Sequence, residues 1–195
     1  MAKLDTNIEI EHKFVVDASF DRQALMQTIR SLSPSKESHA QVQERYFLTH
    51  LTPHVIYRHR YDEKNQDITY KSYGQSDIEV RREVRIALDL SVGSQVEQVA
   101  AFLQPLSIRW QSSLRKELWA FVFADCEIVY YEAQSDQKIV RCIELEAIHP
   151  ENVDAALATL ASYEQRLGFE VAQRIRPLLF DLLFADSLET QPSER

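Results

Sequence analysis

The sequence predicts an α+β domain built from about eight antiparallel strands and a few covering helices. Polar and apolar side chains alternate in eight segments along the chain, and apolar residues recur at helical spacing between and after them. One face of these strands is also strongly charged. Such strands can form an open sheet with its charged face in water, or a closed barrel with its charged face inside, and alternation alone favours neither.

The composition is that of a single domain. The chain has 195 residues, 45% of them hydrophobic, which is enough for one core. We expect one domain over residues 1–186 and a disordered tail over residues 187–195. The net charge of -8 argues against nonspecific nucleic-acid or anionic-membrane partners. The sequence has no apolar segment of signal-peptide or membrane-span length, so we expect a soluble, cytoplasmic protein.

The strands are predicted from a period of two, since side chains at i and i+2 share one face of a strand. The predicted strands cover Asn7–Val16, Gln41–Thr49, His54–Tyr61, Asp67–Tyr73, Asp77–Leu88, Ile108–Phe123, Cys126–Tyr131 and Lys138–Ile148.

Four helices are predicted from apolar residues at helical spacing and from their termini. Ser94 and Glu97 have the spacing of a capping box, and Gly168 is placed to end the third helix. Proline is expected in the first turn of that helix. The predicted helices cover Phe20–Leu32, Gln95–Leu103, Pro150–Leu167 and Pro177–Phe184.

Several types of site are excluded by absent motifs. The chain has only three glycines, Gly74, Gly93 and Gly168, so it lacks the glycine-rich loops that cradle phosphate in nucleotide-binding folds. Any phosphate must therefore be bound by side chains. The chain also lacks the His-Glu-x-x-His and Gly-x-Ser-x-Gly motifs. Cys126 and Cys142 are too few for a disulfide scaffold and are expected to be reduced core residues.

Charges of like sign lie two residues apart on the strands. Two carboxylates about 7 Å apart repel by roughly 2 kcal/mol at an effective dielectric near 20, so paired glutamates need a cation. Mg²⁺ or Mn²⁺ suits carboxylate oxygens, and clustered arginines suit a multiply charged oxyanion, so the two together indicate phosphate. A solvated sheet face, which would bind neither, is the competing interpretation. The same-face sets are Glu9, Glu11 and Lys13; Arg58 and Arg60; Thr69 and Lys71; Glu79, Arg81, Glu83 and Arg85; and Glu144 and Glu146.

These residues resemble a known family. Glu9-Ile-Glu11-His-Lys13 is similar to the Glu-x-Glu-x-Lys signature of the CYTH, or triphosphate tunnel metalloenzyme, superfamily. The resemblance implies a closed tunnel of eight antiparallel strands, with metal-binding glutamates on one side and basic residues for a triphosphate on the other. The other matching motifs follow in family order as Arg58-His-Arg60, Thr69-Tyr-Lys71, Arg81-Arg-Glu83 and Glu144-Leu-Glu146.

The resemblance also implies roles for individual residues. Lys13, Glu11 and Glu146 are expected to take part in catalysis. The expected ligands of Mg²⁺ or Mn²⁺ are Glu9, Glu11, Glu83, Glu144 and Glu146. The expected phosphate-binding residues are Lys13, Arg58, Arg60, Lys71, Arg81, Arg85 and Arg115.

The activity implied is metal-dependent hydrolysis of inorganic triphosphate or of a small organic triphosphate. A class IV adenylate cyclase and a non-catalytic module that binds polyphosphate or a nucleotide are the alternatives. The sequence leaves the oligomeric state open.

The sequence departs from the family pattern at four places, one of which is Arg174-Ile-Arg176 near the C-terminus, where members often carry Ser-Lys. Position 85 is arginine where the family usually continues Arg-x-Glu-x-Glu. The central Lys-x-Arg motif has no clean match, although Arg115 and Lys116 lie close to its place. The acidic residue often found on the next-to-last strand corresponds to Glu127, Glu132 or Asp125, or is missing.

Overall fold

The computed structural model describes residues 8–72 and 80–189. The described residues form nine strands and four helices, together with three short 3₁₀ turns. In chain order they are β1 (Ile8–Val16), α1 (Arg22–Ser31), β2 (Lys36–Thr49), β3 (Val55–Tyr61), β4 (Gln66–Ser72), β5 (Val80–Ala87), α2 (Val96–Leu103), β6 (Ile108–Val122), β7 (Cys126–Gln134), β8 (Ile139–Ala147), α3 (Val153–Leu167), β9 (Arg174–Ile175) and α4 (Leu179–Glu189).

Eight of the strands close into a barrel. They pair in the order β5-β4-β3-β2-β6-β7-β8-β1, and β1 pairs back to β5, where Glu9 lies opposite Arg81. Every pairing is antiparallel. The predicted α+β class and closed eight-stranded barrel are confirmed, and the open sheet is excluded.

The outer face of the barrel is apolar and covered by three helices. Ile29 of α1 and Leu160 of α3 belong to one buried cluster with Ile143 of β8. On another side, Val99 and Leu103 of α2 pack with Phe47 of β2. These contacts direct the alternate side chains of the same strands into the barrel.

The fourth helix, α4, closes one end of the barrel interior. Phe180 contacts Tyr46 of β2 and Trp110 of β6, with ring centroids 5.9 Å and 5.2 Å apart, and Phe184 packs beside it. Tyr46 shares its strand face with Glu44, and both Tyr46 and Phe180 line the internal cavity. The predicted apolar C-terminal segment therefore docks on the barrel, as expected.

The helix termini differ from the predicted ones. Gln95 is the N-cap of α2 and makes no side-chain cap, so the predicted Ser94/Glu97 capping box is wrong. Asn152 caps α3 by accepting from the backbone amide of Ala155, which places Pro150 before the helix. Gly168 ends α3 with φ of +79°, as predicted. Within residues 8–72 and 80–189, no helix is both long and apolar enough to cross a membrane.

Some predictions fall beyond the described residues. Gly74, Glu79, the end of the strand predicted over Asp67–Tyr73 and the start of that over Asp77–Leu88 lie outside them. α4 continues three residues past Asp186 to Glu189, and residues 190–195 also lie outside. The two-residue strand β9, which pairs with β1 beside Lys13, was not predicted because it is too short for a period to register.

We predict that Phe180→Ala lowers the free energy of unfolding by about 3–5 kcal/mol, because it removes a fully packed ring from the closed end of the barrel. Urea denaturation measures the loss. Phe102→Ala in α2 is the control, since Phe102 is 72% exposed and its loss should cost less than about 0.5 kcal/mol. Equal effects of the two substitutions would contradict the assigned role of α4.

Candidate functional site

The barrel encloses a cavity of about 1170 Å³ that gathers most of the predicted site residues. They reach it because each lies on the inward parity of its strand. The predicted residues that line the cavity are Glu9, Glu11, Lys13, Arg58, Arg60, Lys71, Arg85, Glu144 and Glu146.

Three carboxylates form an acidic row across neighbouring strands. Glu11 of β1 lies opposite Glu146 of β8, and Glu146 lies opposite Glu127 of β7. Directly opposed residues in antiparallel strands have Cβ atoms about 4.5–5.5 Å apart. The register therefore concentrates negative charge at one place in the wall.

Burial raises the pKa values of carboxyl groups in and beside this row. Burial, together with the charge of Glu9, raises the pKa of Glu146 to about 8. Burial also raises the pKa of Glu9 to about 7 although Lys71 opposes the change, and burial raises the pKa of Glu127. These shifts indicate negative charge that is not fully compensated by the neighbouring cations.

Lys13 lies between two of the carboxylates. Its Nζ is 3.2 Å from Glu11 Oε1 and 3.0 Å from Glu144 Oε1, and Arg81 donates a second hydrogen bond to Glu11. Burial disfavours the charged amine, but Glu11 and Glu144 outweigh it and raise the pKa of Lys13. Lys13 therefore stays protonated and is poorly suited to act as a base.

A second group of ion pairs surrounds Lys71. Its Nζ lies 2.8 Å from both carboxylate oxygens of Glu9 and 2.6 Å from Glu83 Oε2. Arg58 and Arg85 approach the other oxygen of Glu83 to 3.7 Å and 3.3 Å. Glu83 is thus enclosed by cations, which outweigh burial and lower its pKa.

Arg81 and Glu83 do not line the cavity, but they pair with Glu11 and Lys71, which do. Arg81 is buried, donates to the carbonyl oxygen of Arg176 and holds Glu11 in place. Arg85, at the position where the family usually has glutamate, lines the cavity with its side chain 54% exposed.

Glu44 is a site residue that the motifs did not reveal. Its side chain is completely buried and accepts a 2.7 Å hydrogen bond from Tyr46 Oη and a 2.8 Å bond from Arg60 Nε. Lys116 Nζ lies 3.5 Å away. Burial opposes ionisation, but Lys116 and Arg60 keep the pKa of Glu44 well below its usual value. A charge within the otherwise apolar stripe of Val42 and Tyr46 was the signal in the sequence.

The structure does not bring Arg115 to the site. Arg115 is exposed and lies opposite the exposed Gln43, whereas Lys116 lies opposite the buried Val42 and lines the cavity. Arg115 was predicted because it lies close to the place of a family motif in the sequence. Alternate side chains of β6 point inward, and Lys116 is one of these whereas Arg115 is not.

The structure also distinguishes the three acidic candidates. Glu127 lines the cavity. Glu132 instead accepts from Arg141 Nε at 3.1 Å, and Asp125 accepts from Tyr163 Oη at 3.0 Å. Of the three candidates, Glu127 is therefore the one that faces the cavity.

The donor set of the acidic row fits a hard divalent cation. Carboxylate oxygens are the ligands that Mg²⁺ and Mn²⁺ prefer, and the row lines the same cavity as Glu9. In the described part of the chain, no three ligating side chains already surround one point. Glu9 and Glu11 would have to exchange ion pairs with Lys71 and Lys13 for the metal.

We predict that Glu44→Gln destabilises the protein by about 3–5 kcal/mol, because it leaves Arg60 and Lys116 buried beside a neutral group. Thermal and urea denaturation measure the loss. Glu117→Gln is the matched control, since Glu117 is 39% exposed and paired with His39 at the surface, so it should cost at most about 1 kcal/mol. A Glu44→Gln protein as stable as this control would contradict the assigned role.

We further predict that the metal-free protein loses stability as the pH rises from 6 to 8.5. A carboxyl whose pKa is raised by folding stabilises the fold below its ordinary value of 4.5 and loses that contribution as the pH rises through about 8. Glu146→Gln removes this term, so the wild type should lose about 1–2 kcal/mol more than the variant over this range. Urea denaturation in EDTA at both pH values measures the difference, and parallel losses would refute the assignment.

Comparisons with solved structures find the same fold. The PH1012 protein from Pyrococcus horikoshii superimposes with a TM-score of 0.71 at 18% identity, over 90% of this chain and 99% of that chain. HpAC1 from Hippeastrum, a proposed adenylyl cyclase reported to reveal a dominant triphosphatase activity, gives 0.59 at 15% identity, over 96% and 99%. The triphosphatase of the mimivirus capping enzyme gives 0.57 at 12% identity, over 84% and 90%.

No protein-family model and no curated protein matches the sequence. At these identities the structural likenesses establish a shared fold. The eight-stranded barrel that the resemblance implied is confirmed.

Proposed function

We propose that this chain is a divalent-metal-dependent phosphohydrolase of the CYTH type, which cleaves a triphosphate inside its barrel. The observation that carries the proposal is the enclosure of clustered carboxylates and clustered basic side chains in one cavity. The acidic row supplies metal ligands, and the basic set supplies phosphate contacts. The triphosphatase activities described for HpAC1 and the mimivirus enzyme support the same reaction class.

Substrate binding would exchange one set of ion pairs for another. Lys71 is held by Glu9 and Glu83, and Lys13 by Glu11 and Glu144. A metal-bound triphosphate brings both a cation for the carboxylates and anions for the amines. Glu9 and Glu11 would then bind the metal while Lys71 and Lys13 turn to phosphate oxygens, so charge stays compensated throughout.

The other basic residues would reach the phosphates from three strands. Arg58 and Arg60 approach from β3, where their planar guanidinium groups can form paired hydrogen bonds with phosphate oxygens. Lys116 is oriented by Glu44 on the neighbouring strand. Arg85, which is more exposed, would reach the substrate from β5.

A bound Mg²⁺ or Mn²⁺ would supply charge neutralisation on the phosphates and a lowered pKa for water. Glu146 would accept the proton of water in its ionised form, which a cation bound nearby would favour by opposing the burial and the neighbouring carboxylates that raise the pKa of Glu146. The oxygen of water bonds to the terminal phosphorus as the bond from phosphorus to the bridging oxygen breaks. Orthophosphate leaves, the bridging oxygen keeps the electron pair, and the proton of water passes to Glu146.

We predict that the wild type releases orthophosphate from triphosphates with Mg²⁺ or Mn²⁺ and not with EDTA. Glu9→Gln/Glu11→Gln should lower the rate at least about 100-fold, because it removes two proposed metal ligands. A malachite-green assay on tripolyphosphate, ATP and thiamine triphosphate measures release, and Glu117→Gln should leave it unchanged.

Three results would contradict the proposed hydrolase. Absence of metal-dependent release from every triphosphate would exclude it. Cyclic AMP formed from ATP, detected by chromatography, would identify a cyclase instead. Tight triphosphate binding without turnover would identify a binding module.

A further inference from the structure

One sector of the cavity wall is uncharged. It consists of Ala40 and Val42 on β2, Leu118 and Ala120 on β6, and Val129 on β7, which we call the apolar wall. Ala40 lies opposite Leu118, and Ala120 lies opposite Val129, so these side chains are neighbours across three adjacent strands. The wall is therefore a continuous surface inside the barrel.

The apolar wall adjoins the proposed phosphate site on two sides. Val129 lies opposite Glu144, whose carboxylate is 3.0 Å from Lys13 Nζ. Val42 lies opposite Lys116. A ligand whose phosphates contact Lys13 and Lys116 would thus have the apolar wall immediately beside it.

The packing of α4 leaves part of the apolar wall exposed to the cavity. Leu118 and Val129 contact the buried cluster that contains Leu179 and Phe180, yet both remain only partly buried, as does Ala40. Apolar surface that stays in contact with water inside a cavity is unfavourable unless a ligand covers it. The remaining surface is thus available to a bound molecule.

An inorganic triphosphate alone would not need the apolar wall. A chain of three phosphoryl groups is polar over its whole surface and much smaller than the drug-sized ligands enclosed by pockets of about 300–1,000 Å³. The cavity of about 1170 Å³ has room for a larger molecule. Ligand pockets combine apolar walls with a few polar groups at their edges, and here Ser38 lies opposite Ala120 while Glu127 precedes Val129 by two residues.

We propose that the apolar wall is a subsite for the organic group of a triphosphate ester, so that this chain acts on organic triphosphates in preference to inorganic triphosphate. The inference rests on the proposed function. An uncharged ring on the wall would bury apolar surface, while its phosphate chain extends towards Lys13 and Lys116.

The test compares kcat/KM for tripolyphosphate, ATP, UTP and thiamine triphosphate with Mg²⁺. At least one organic ester should be preferred over tripolyphosphate by about tenfold or more. Leu118→Ala, which removes apolar area, and Val129→Thr, which keeps the shape and adds a hydroxyl, should lower kcat/KM for that ester about tenfold more than for tripolyphosphate. Ile86→Ala is the matched control, because Ile86 is 59% exposed on the outer parity of β5.

Two kinetic outcomes would overturn the inference. The first is a wild type that cleaves tripolyphosphate as well as any ester. The second is that Leu118→Ala and Val129→Thr lower kcat/KM equally for all substrates while their melting temperatures match that of the Ile86→Ala control. The binding comparison covers the case without turnover: calorimetry should find the ester tighter than tripolyphosphate in the wild type, with the difference reduced in Leu118→Ala. Absence of turnover alone would contradict the proposed function and leave the subsite intact. Equal affinities for the ester and tripolyphosphate would contradict the subsite as well.

Discussion

The pairing of β1 with β5 is the constraint on which the rest of the structure depends. Glu9 lies opposite Arg81 where the ring closes, and closure converts one face of a charged sheet into an interior. In an open sheet these charges would be solvated individually. Inside a barrel each carboxylate must instead be compensated by a nearby cation or lose its charge, because desolvation favours the neutral acid.

Both forms of compensation occur side by side. Glu44 and Glu83 are held ionised by several cations, whereas Glu9 and Glu146 have raised pKa values. The difference follows from the partners of each group, since cations outweigh burial at Glu44 and Glu83, whereas burial and neighbouring carboxylates prevail at Glu9 and Glu146. The lumen therefore has carboxyl groups clustered across β1, β8 and β7, and cations clustered around Glu44. In the proposed function, this arrangement would favour one orientation of a ligand that carries both metal and phosphate.

Much of this arrangement could be predicted from a period of two. For the residues that the structure describes, the same-face sets from Glu9 to Glu146 correctly assigned the inward side chains, because burial of the opposite face fixes strand parity. Closure could not be derived from alternation, since it depends on the pairing of β1 with β5, far apart in the chain. Arg115 was predicted from its nearness to a motif and has the wrong parity. Glu44 was missed because one carboxylate among apolar neighbours forms no same-sign pair.

The position of α4 limits how small molecules can enter and leave the barrel. Phe180 and Phe184 occupy the barrel end formed by Tyr46, Trp110 and Leu114, so that end is a floor rather than a passage. A molecule that reaches this closed end must enter and leave through the same opening. The lumen is then a pocket closed at one end and not a channel open at both. A molecule bound next to α4 can leave only through the opposite end, past any other molecule bound nearer that end.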